Sequence, residues 1–123
     1  MSELFSDQTQ NGLGALPNQG SLVIDSNASA WLETDSEGFW VKSLLEDEQA
    51  GMHACLMKID AGAFSPLHAH DEVEQIYVIE GSFYDQEKSY VAGEYIVRAA
   101  GAMHSTGSKD GAVIMLNYSP TPA

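Results

Sequence analysis

From residue 21 onward, short apolar runs alternate with polar residues and are broken by turn-forming residues about every 8–12 positions. No stretch of about 11 residues keeps the periodicity of an amphipathic helix. The pattern therefore predicts one all-β domain over residues 21–123, preceded by a flexible arm over residues 1–20 that is rich in Gln, Asn, Gly and Ser. The predicted strands are 21–25, 39–45, 52–60, 75–80, 82–85, 93–98 and 112–118, with a turn at Gly81 between the fourth and the fifth.

The alternation within two of these strands predicts which side chains are buried. If Lys58 faces water, the inward side chains of strand 52–60 are His53, Cys55, Met57 and Ile59. After Glu74, Ile76 and Val78 should point inward with the carboxylate, whereas Tyr77 and Ile79 should point outward. Because the outer face is also apolar, another layer must cover it, and we predict a homodimer in which these outer faces meet.

Composition and charge exclude several classes of partner. The chain has 18 acidic and 5 basic residues and a formal net charge of −13, so no basic patch is available for nucleic acid or for an anionic membrane surface. The chain shows neither an apolar leader nor a membrane-spanning run, and its single cysteine, Cys55, has no internal disulfide partner. We therefore expect a cytoplasmic protein.

Residue types that can bind metal ions are concentrated in the stretch 68–74, and one further histidine, His104, lies downstream. His68 and His70 are separated by one residue, so on a strand their side chains point to the same face. Glu74 follows after a distance that suits a short bend and a return to the inner face. We expect His104 to come from a separate hairpin and to close the site from the opposite wall.

These residues resemble the two signature motifs of the cupin family. The first motif, G-x5-H-x-H-x3-E-x6-G, is matched at Gly62, His68, His70, Glu74 and Gly81. The second, G-x5-P-x-G-x2-H-x3-N, is matched at Gly93, Gly101 and His104, with Ala99 in place of the proline and Ser108 in place of the asparagine. The resemblance implies a double-stranded β-helix, the jelly-roll cupin barrel, of about six to eight strands with a metal ion in its mouth.

Further residues are similar to the ChrR-type branch of the family. They are Trp31, Trp40-Val-Lys42, Gly81-Ser-Phe83-Tyr-Asp85, Tyr90-Val-Ala-Gly93-Glu-Tyr95 and Gly107-Ser108. That branch contains the C-terminal domain of certain anti-sigma factors and small non-haem dioxygenases. The resemblance thus implies either a catalytic or a regulatory role.

The expected ligand set is one divalent metal ion per chain held by His68, His70, Glu74 and His104. Three neutral imidazoles with one carboxylate suit Fe(II), Mn(II), Ni(II) or Zn(II). Four protein ligands leave two positions open on an octahedral ion, but they can close the shell of a tetrahedral zinc.

Two other residues are candidates for a catalytic role. His53 is expected to face inward, either as a proton shuttle or as a strand histidine bonded to a neighbour. Arg98 either meets a substrate carboxylate or enolate, or forms an ion pair with Glu94 or another surface carboxylate. Cys55 is expected to be a small core residue.

The favoured function is a mononuclear non-haem oxygenase acting on a small dicarbonyl or hydroxy-ketone compound. The alternative is a ChrR-like metal-binding sensor without catalysis. Metal-dependent isomerisation or carbohydrate binding ranks last, because the diphosphate of a sugar nucleotide calls for more basic residues than the chain has.

Overall fold

A single large antiparallel sheet forms most of the protein. The computed structural model describes residues 7–10 and 14–121. The strands are β1 (Asp7–Gln10), β2 (Ser21–Ile24), β3 (Leu32–Glu33), β4 (Phe39–Asp47), β5 (Met52–Ile59), β6 (Phe64–His68), β7 (Val73–Tyr84), β8 (Ser89–Val91), β9 (Tyr95–Arg98), β10 (His104–Gly107) and β11 (Ala112–Ser119). One 3-10 turn, Ser26–Ala28, is the only helical element among the described residues, none of which forms a helix able to cross a membrane.

The strand order of the main sheet is β3-β4-β5-β11-β7-β10-β6, and β8 and β9 also pair with β7. Over the residues that the structure describes, the sheet therefore has nine strands and curls into the jelly roll that the motif resemblance implies. β1 and β2 form a separate parallel pair. The strand count exceeds the expected six to eight because short strands flank both halves of β7.

β7 does not end at Gly81, so the predicted turn there is wrong. The strand is twelve residues long, and Gly81 lies within it at a φ of +74°. The pairing with β11 shifts between Val113 and Ile114, which leaves Ile79 as the extra residue of a bulge. The first half of β7 pairs with β9 and the second half with β8 and β10, so the bend lets one strand serve both layers.

Side chains on the inner face form rows that run across several strands in register. One such row is Ser43, Cys55, Leu116, Ile76 and Ile96, and the next is Val41, Met57, Ile114 and Val78. The predicted inward residues Cys55, Ile59, Ile76 and Val78 are all buried, and Met57 packs against the same core. Tyr77 and Ile79 are exposed, as the alternation predicts.

The predicted flexible arm over residues 1–20 lies partly outside the described residues. Within the part of the arm that is described, β1 pairs in parallel with β2, and Gly14 forms a bridge to Leu45 of β4. The Leu16 backbone N–H donates a hydrogen bond to Asp47, although Leu16 is in no strand. The boundary between arm and domain therefore stays a prediction.

Candidate metal centre

Three histidines converge at the mouth of the sheet. One ring nitrogen each from His68, His70 and His104 lies within 4.8 Å of the others. Their ring centroids are 4.4 Å apart for His68 and His104 and 5.2 Å apart for His68 and His70. The three imidazoles therefore form a potential metal site.

The local backbone explains how the rings meet. His68 is the last residue of β6 and is the direct cross-strand partner of His104, the first residue of β10. His104 thus lies beside His68, and the prediction that it closes the site from the opposite wall is wrong. His70 lies beyond the strand, and its carbonyl accepts a hydrogen bond from the Gly101 N–H at 2.7 Å. That bond ties the two motif segments together.

Ring hydrogen bonds leave the same nitrogen free on two of the histidines. The Nδ1–H of His68 donates to the Pro66 carbonyl at 2.9 Å, so its Nε2 carries the lone pair. Nδ1 of His104 lies 3.3 Å from the Thr106 hydroxyl. Burial lowers the pKa of His104 to about 4, against the opposing charge of Glu74, so at neutral pH the ring is in its uncharged, ligating form.

Glu74 is the buried carboxylate of the site. Its residue is 3% exposed, and its Oε1 lies 3.4 Å from Nε2 of His104. Oε2 lies 3.8 Å from Nε2 of His70 and accepts a hydrogen bond from the Tyr118 hydroxyl at 2.7 Å. Glu74 Oε1 and His104 Nε2 are both buried, and neither finds a hydrogen-bond partner among the described residues.

The unpartnered atoms test whether a metal ion fits these residues. A buried polar atom without a hydrogen bond is costly. Arg98 Nε, also without a hydrogen bond, lies 3.4 Å from Glu74 Oε1 and offsets its charge, but it leaves His104 Nε2 without a ligand. Two atoms bound about 2.0–2.2 Å from one ion stand about 3.0–3.6 Å apart. The 3.4 Å between His104 Nε2 and Glu74 Oε1 falls in that range. This pair is therefore spaced as two ligands of one divalent ion would be, beside the cluster of three imidazoles.

Arg98 is held inside the protein by two carboxylates. Its Nε lies 3.4 Å from Glu74 Oε1, and its Nη2 donates to Asp85 Oδ2 at 3.1 Å. The predicted pairing with Glu94 or another surface carboxylate is wrong, because both partners of Arg98 are buried and the Glu94 carboxylate instead accepts the Val91 N–H. Arg98 is on the inner face because it is the cross-strand partner of Glu74.

Asp85 completes the ion pair. Burial by itself would raise the pKa of this carboxyl, but hydrogen bonds from Tyr90, from the Lys88 and Glu87 backbone N–H groups and from Arg98 lower it to about 2. The Tyr90 hydroxyl donates to Asp85 at 2.6 Å, and burial and this bond raise the pKa of Tyr90 to about 12. At neutral pH Asp85 therefore stays ionised as the acceptor of this hydrogen bond, and Tyr90 stays protonated as its donor.

Beside the histidines lies a cavity of about 280 Å³. Its lining combines apolar core residues with five residues that carry hydroxyls, Thr34, Ser36, Ser65, Thr106 and Tyr118. The apolar lining is Phe39, Met57, Ile76, Phe83, Ile114 and Leu116. A more open depression of about 900 Å³, lined by residues 33–40 and 60–64, contains no histidine. We assign the ligand site to the smaller cavity, because its lining includes all three converging histidines and Glu74.

His53 lies next to this cavity and not within its lining. With Cys55, Glu72 and Tyr118, it lines an adjoining cavity of about 250 Å³ that shares His70 with the first. His53 Nε2 lies 3.5 Å from the Ser43 hydroxyl, and its ring stacks on Tyr118. Cys55 belongs to the core, and burial, with a smaller contribution from the Glu74 charge, raises the pKa of its thiol to about 11. The thiol is therefore protonated and unreactive at neutral pH.

Two residues of the site were not predicted, Tyr118 and Asp85. The alternation of strand 112–118 does put Tyr118 on the same face as Ile114 and Leu116. Its contact with Glu74 depends on the register between β11 and β7, which the sequence pattern does not specify. Burial and the Glu74 charge raise the pKa of Tyr118, so its hydroxyl stays a hydrogen-bond donor.

Comparison with known proteins identifies related folds. Residues 19–122 match the family described as the ChrR cupin-like domain. No curated protein matches the sequence. An RmlC-like cupin protein from Ralstonia eutropha is 23% identical with a TM-score of 0.70 over 78% of this chain and 66% of the other.

Two further solved structures have printed functions. An acetylacetone dioxygenase from Acinetobacter johnsonii is 14% identical with a TM-score of 0.72, over 85% of this chain and 76% of the other. A chain in the complex of SigE with the anti-sigma ChrR from Rhodobacter sphaeroides is 20% identical with a TM-score of 0.65, over 77% of this chain. This chain spans about half the length of that protein, 51%. At these identities the similarity shows the fold.

Proposed function

Because the chain belongs to the ChrR cupin-like domain family, we propose that it binds one divalent metal ion through His68, His70, Glu74 and His104. The observation that carries the proposal is the pair of buried, unpartnered atoms, Glu74 Oε1 and His104 Nε2, which face each other beside the other two imidazoles. The donor set suits Fe(II), Mn(II), Ni(II) or Zn(II).

The activity that the site supports best is oxygenation of a small dicarbonyl or hydroxy-ketone compound. A bound ion would polarise the oxygen atoms of such a chelating compound and, if redox-active, would supply electrons to O2. The cavity of about 280 Å³ would hold the carbon skeleton against its apolar wall and exclude water. The named activity of the structural relative from A. johnsonii supports this substrate class.

The roles of the protein groups follow from their contacts. The hydroxyls of Ser65 and Thr106 lie in the cavity lining and would orient the polar end of the ligand. Arg98 is outside that lining and already pairs with Glu74 and Asp85, so its role is to balance buried charge and not to contact substrate. His53 lines the adjoining cavity and stacks on Tyr118. A proton moving from His53 to the ligand cavity would therefore have to pass Tyr118.

The first experiment measures metal content and oxygen consumption together. We expect about one metal ion per chain after purification or reconstitution, and loss of the ion in His104→Ala. His53→Ala is the matched control, because it removes a histidine that is not in the converging group. The Fe(II)-loaded protein should consume O2 with at least one member of a panel of dicarbonyl and hydroxyacetophenone compounds. Full metal occupancy with no O2 uptake across the panel would contradict the oxygenase.

A regulatory role is the second candidate, and the family match supports it directly. Residues 19–122 match a family named for the cupin-like domain of ChrR, an anti-sigma factor in the R. sphaeroides complex. In this case the metal-loaded protein should be inactive with every compound and should bind a regulatory protein in a pull-down. A metal-loaded protein that recovers no partner and consumes O2 would contradict the sensor.

A further inference from the structure

A row of polar side chains crosses the mouth of the sheet in register. It contains Glu46 of β4, His53 of β5, Tyr118 of β11, Glu74 of β7 and Arg98 of β9. Each member is the direct cross-strand partner of the next, and such partners have Cβ atoms about 4.5–5.5 Å apart. Tyr118 therefore lies beside Glu74 because of the pairing of the sheet itself.

Tyr118 contacts two of the four proposed ligands. Its hydroxyl donates to Glu74 Oε2 at 2.7 Å, and its ring centroid lies 4.9 Å from that of His70. On its other side the ring stacks on His53 at 5.7 Å. The strand pairing of β11 with β5 and β7 sets the position of the tyrosine between these two rings.

The hydroxyl determines which carboxylate oxygen is free. Oε2 is occupied by Tyr118, whereas Oε1 is buried without a hydrogen-bond partner and faces His104 Nε2. Arg98 is also close to Oε1, but its Nε makes no hydrogen bond there, and its Nη2 is bonded to Asp85. Among the described residues, Tyr118 is thus the only hydrogen-bond donor to the Glu74 side chain.

We propose that Tyr118 is a positioning residue that fixes Glu74 as a metal ligand through Oε1 and holds the His70 ring in place. This inference rests on the proposed metal site. Groups that hold metal ligands in this way typically change metal affinity by about 10–100-fold when they are removed. The ring of Tyr118 also forms part of the wall between the two adjoining cavities.

The test compares metal affinity in matched variants. Tyr118→Phe removes the hydroxyl and keeps the ring that packs on His53 and His70. Co(II) is the probe: its dissociation constant is measured by competition with a chromogenic chelator, and its visible absorption spectrum reports ligand geometry. We expect affinity about 10–100-fold weaker than wild type, with an altered spectrum. Tyr95→Phe, at an exposed tyrosine, should match wild type.

A double-mutant cycle separates positioning from general support of the fold. If the hydroxyl acts through the carboxylate, adding Tyr118→Phe to Glu74→Gln should change Co(II) affinity much less than adding it to wild type. An equal loss in both backgrounds would overturn the inference. Melting curves of the metal-free variants check that each is folded.

The outcomes also separate this inference from the metal site on which it rests. Wild-type protein that does not bind Co(II), or binds it equally well after Glu74→Gln, contradicts the proposed function itself. Wild-type protein that binds Co(II) and loses affinity on Glu74→Gln, but not on Tyr118→Phe, overturns only the role of Tyr118.

Discussion

Arg98 shows how one side chain can hold two buried carboxylates together. The guanidinium lies between Glu74 and Asp85, whose side chains are 4% and 1% exposed. A buried charge without a partner is strongly destabilising, so the two carboxylates and the single cation depend on one another. The arrangement leaves one negative charge in excess, which a divalent ion at the histidines would offset.

The buried carboxyl of Asp85 should make stability depend on acidic pH. Its pKa is about 2 in the folded protein against an ordinary 3.8, so it contributes stability above about pH 4 that is lost as the pH falls towards 2. The shift corresponds to at most about 2 kcal/mol, which solvent screening reduces. We expect Asp85→Asn to lower the free energy of unfolding of the metal-free protein at neutral pH, with a smaller difference below about pH 3.

Chemical denaturation as a function of pH measures this effect. Asp110→Asn, at an exposed aspartate, is the control and should follow the wild-type curve. If the loss in Asp85→Asn were the same at every pH, the low pKa of Asp85 would not be the source of its contribution.

The sequence is most informative about the ligands, because their spacing is local. His68, His70 and Glu74 lie within one short stretch, and the two motifs together include all three converging histidines. The partners of Arg98 and the role of Tyr118 could not be predicted, because each depends on register between strands that are distant in sequence. The contacts of a side chain with its own segment are specified locally, and its cross-strand contacts are not.

At the scale of the strands, β7 is the element on which the fold depends. It pairs with β8, β9, β10 and β11 and passes from one layer to the other at its bulge. Gly81 lies just after the bulge, where a Cβ atom would meet the backbone of β11 and its preceding turn, including Ala112 Cα at 2.9 Å. The glycine therefore permits both the left-handed backbone and the close approach of two strands.

Gly81→Ala should destabilise the protein more than Gly93→Ala. Both glycines have positive φ, +74° and +95°, so each alanine costs about 1–2 kcal/mol of backbone strain. At Gly93 nothing lies within 4 Å of the new Cβ, whereas at Gly81 the clash is with backbone. We expect an additional loss of about 1–3 kcal/mol at Gly81, measured by chemical denaturation. Equal losses of unfolding free energy in the two variants would mean that β7 and β11 can move apart at Gly81 without losing stability.

The predicted strands agree best with the structure where the apolar alternation is regular. Strands 39–45, 52–60 and 112–118 correspond to β4, β5 and β11. β6 and β10, which carry two of the histidines, were missed, because β6 contains Pro66 and β10 has the sequence His-Ser-Thr-Gly. A proline is tolerated in β6 since the strand is at the edge of the sheet. Neither β6 nor β10 shows the run of alternating apolar and polar residues that predicts a strand.

At the scale of the whole molecule, one apolar face has no covering layer among the described residues. Tyr77, Ile79, Tyr95 and Val97 are between 45% and 58% exposed on neighbouring strands, and Tyr77 is the cross-strand partner of Tyr95. None of these side chains is charged, although the net charge of the chain is −13. We propose that a second copy of the chain covers this face, because it would bring an identical uncharged face and keep the acidic surfaces apart.

We expect the wild-type protein to sediment as a dimer and Tyr95→Glu to sediment as a monomer. A two-fold contact would bring the two introduced carboxylates into one apolar interface, where neither has a partner. Phe64→Glu is the control, since Phe64 is similarly exposed, at 54%, on the distant strand β6. Sedimentation velocity over a range of concentrations gives the measurement. A monomeric wild type would contradict this use of the face.

The position of β6 at the edge of the sheet has a consequence for how easily this strand can open. Within the described part of the chain, β6 is paired on one side only, by β10, and its last residue is His68. An ion shared by His68, Glu74 and His104 would fasten this strand to the interior at its open end. The outer backbone groups of β6 are unpaired in either state, so the ion would act by limiting how far this strand can separate from β10. Loss of the ion would then loosen the edge strand at the end where pairing with another chain could begin.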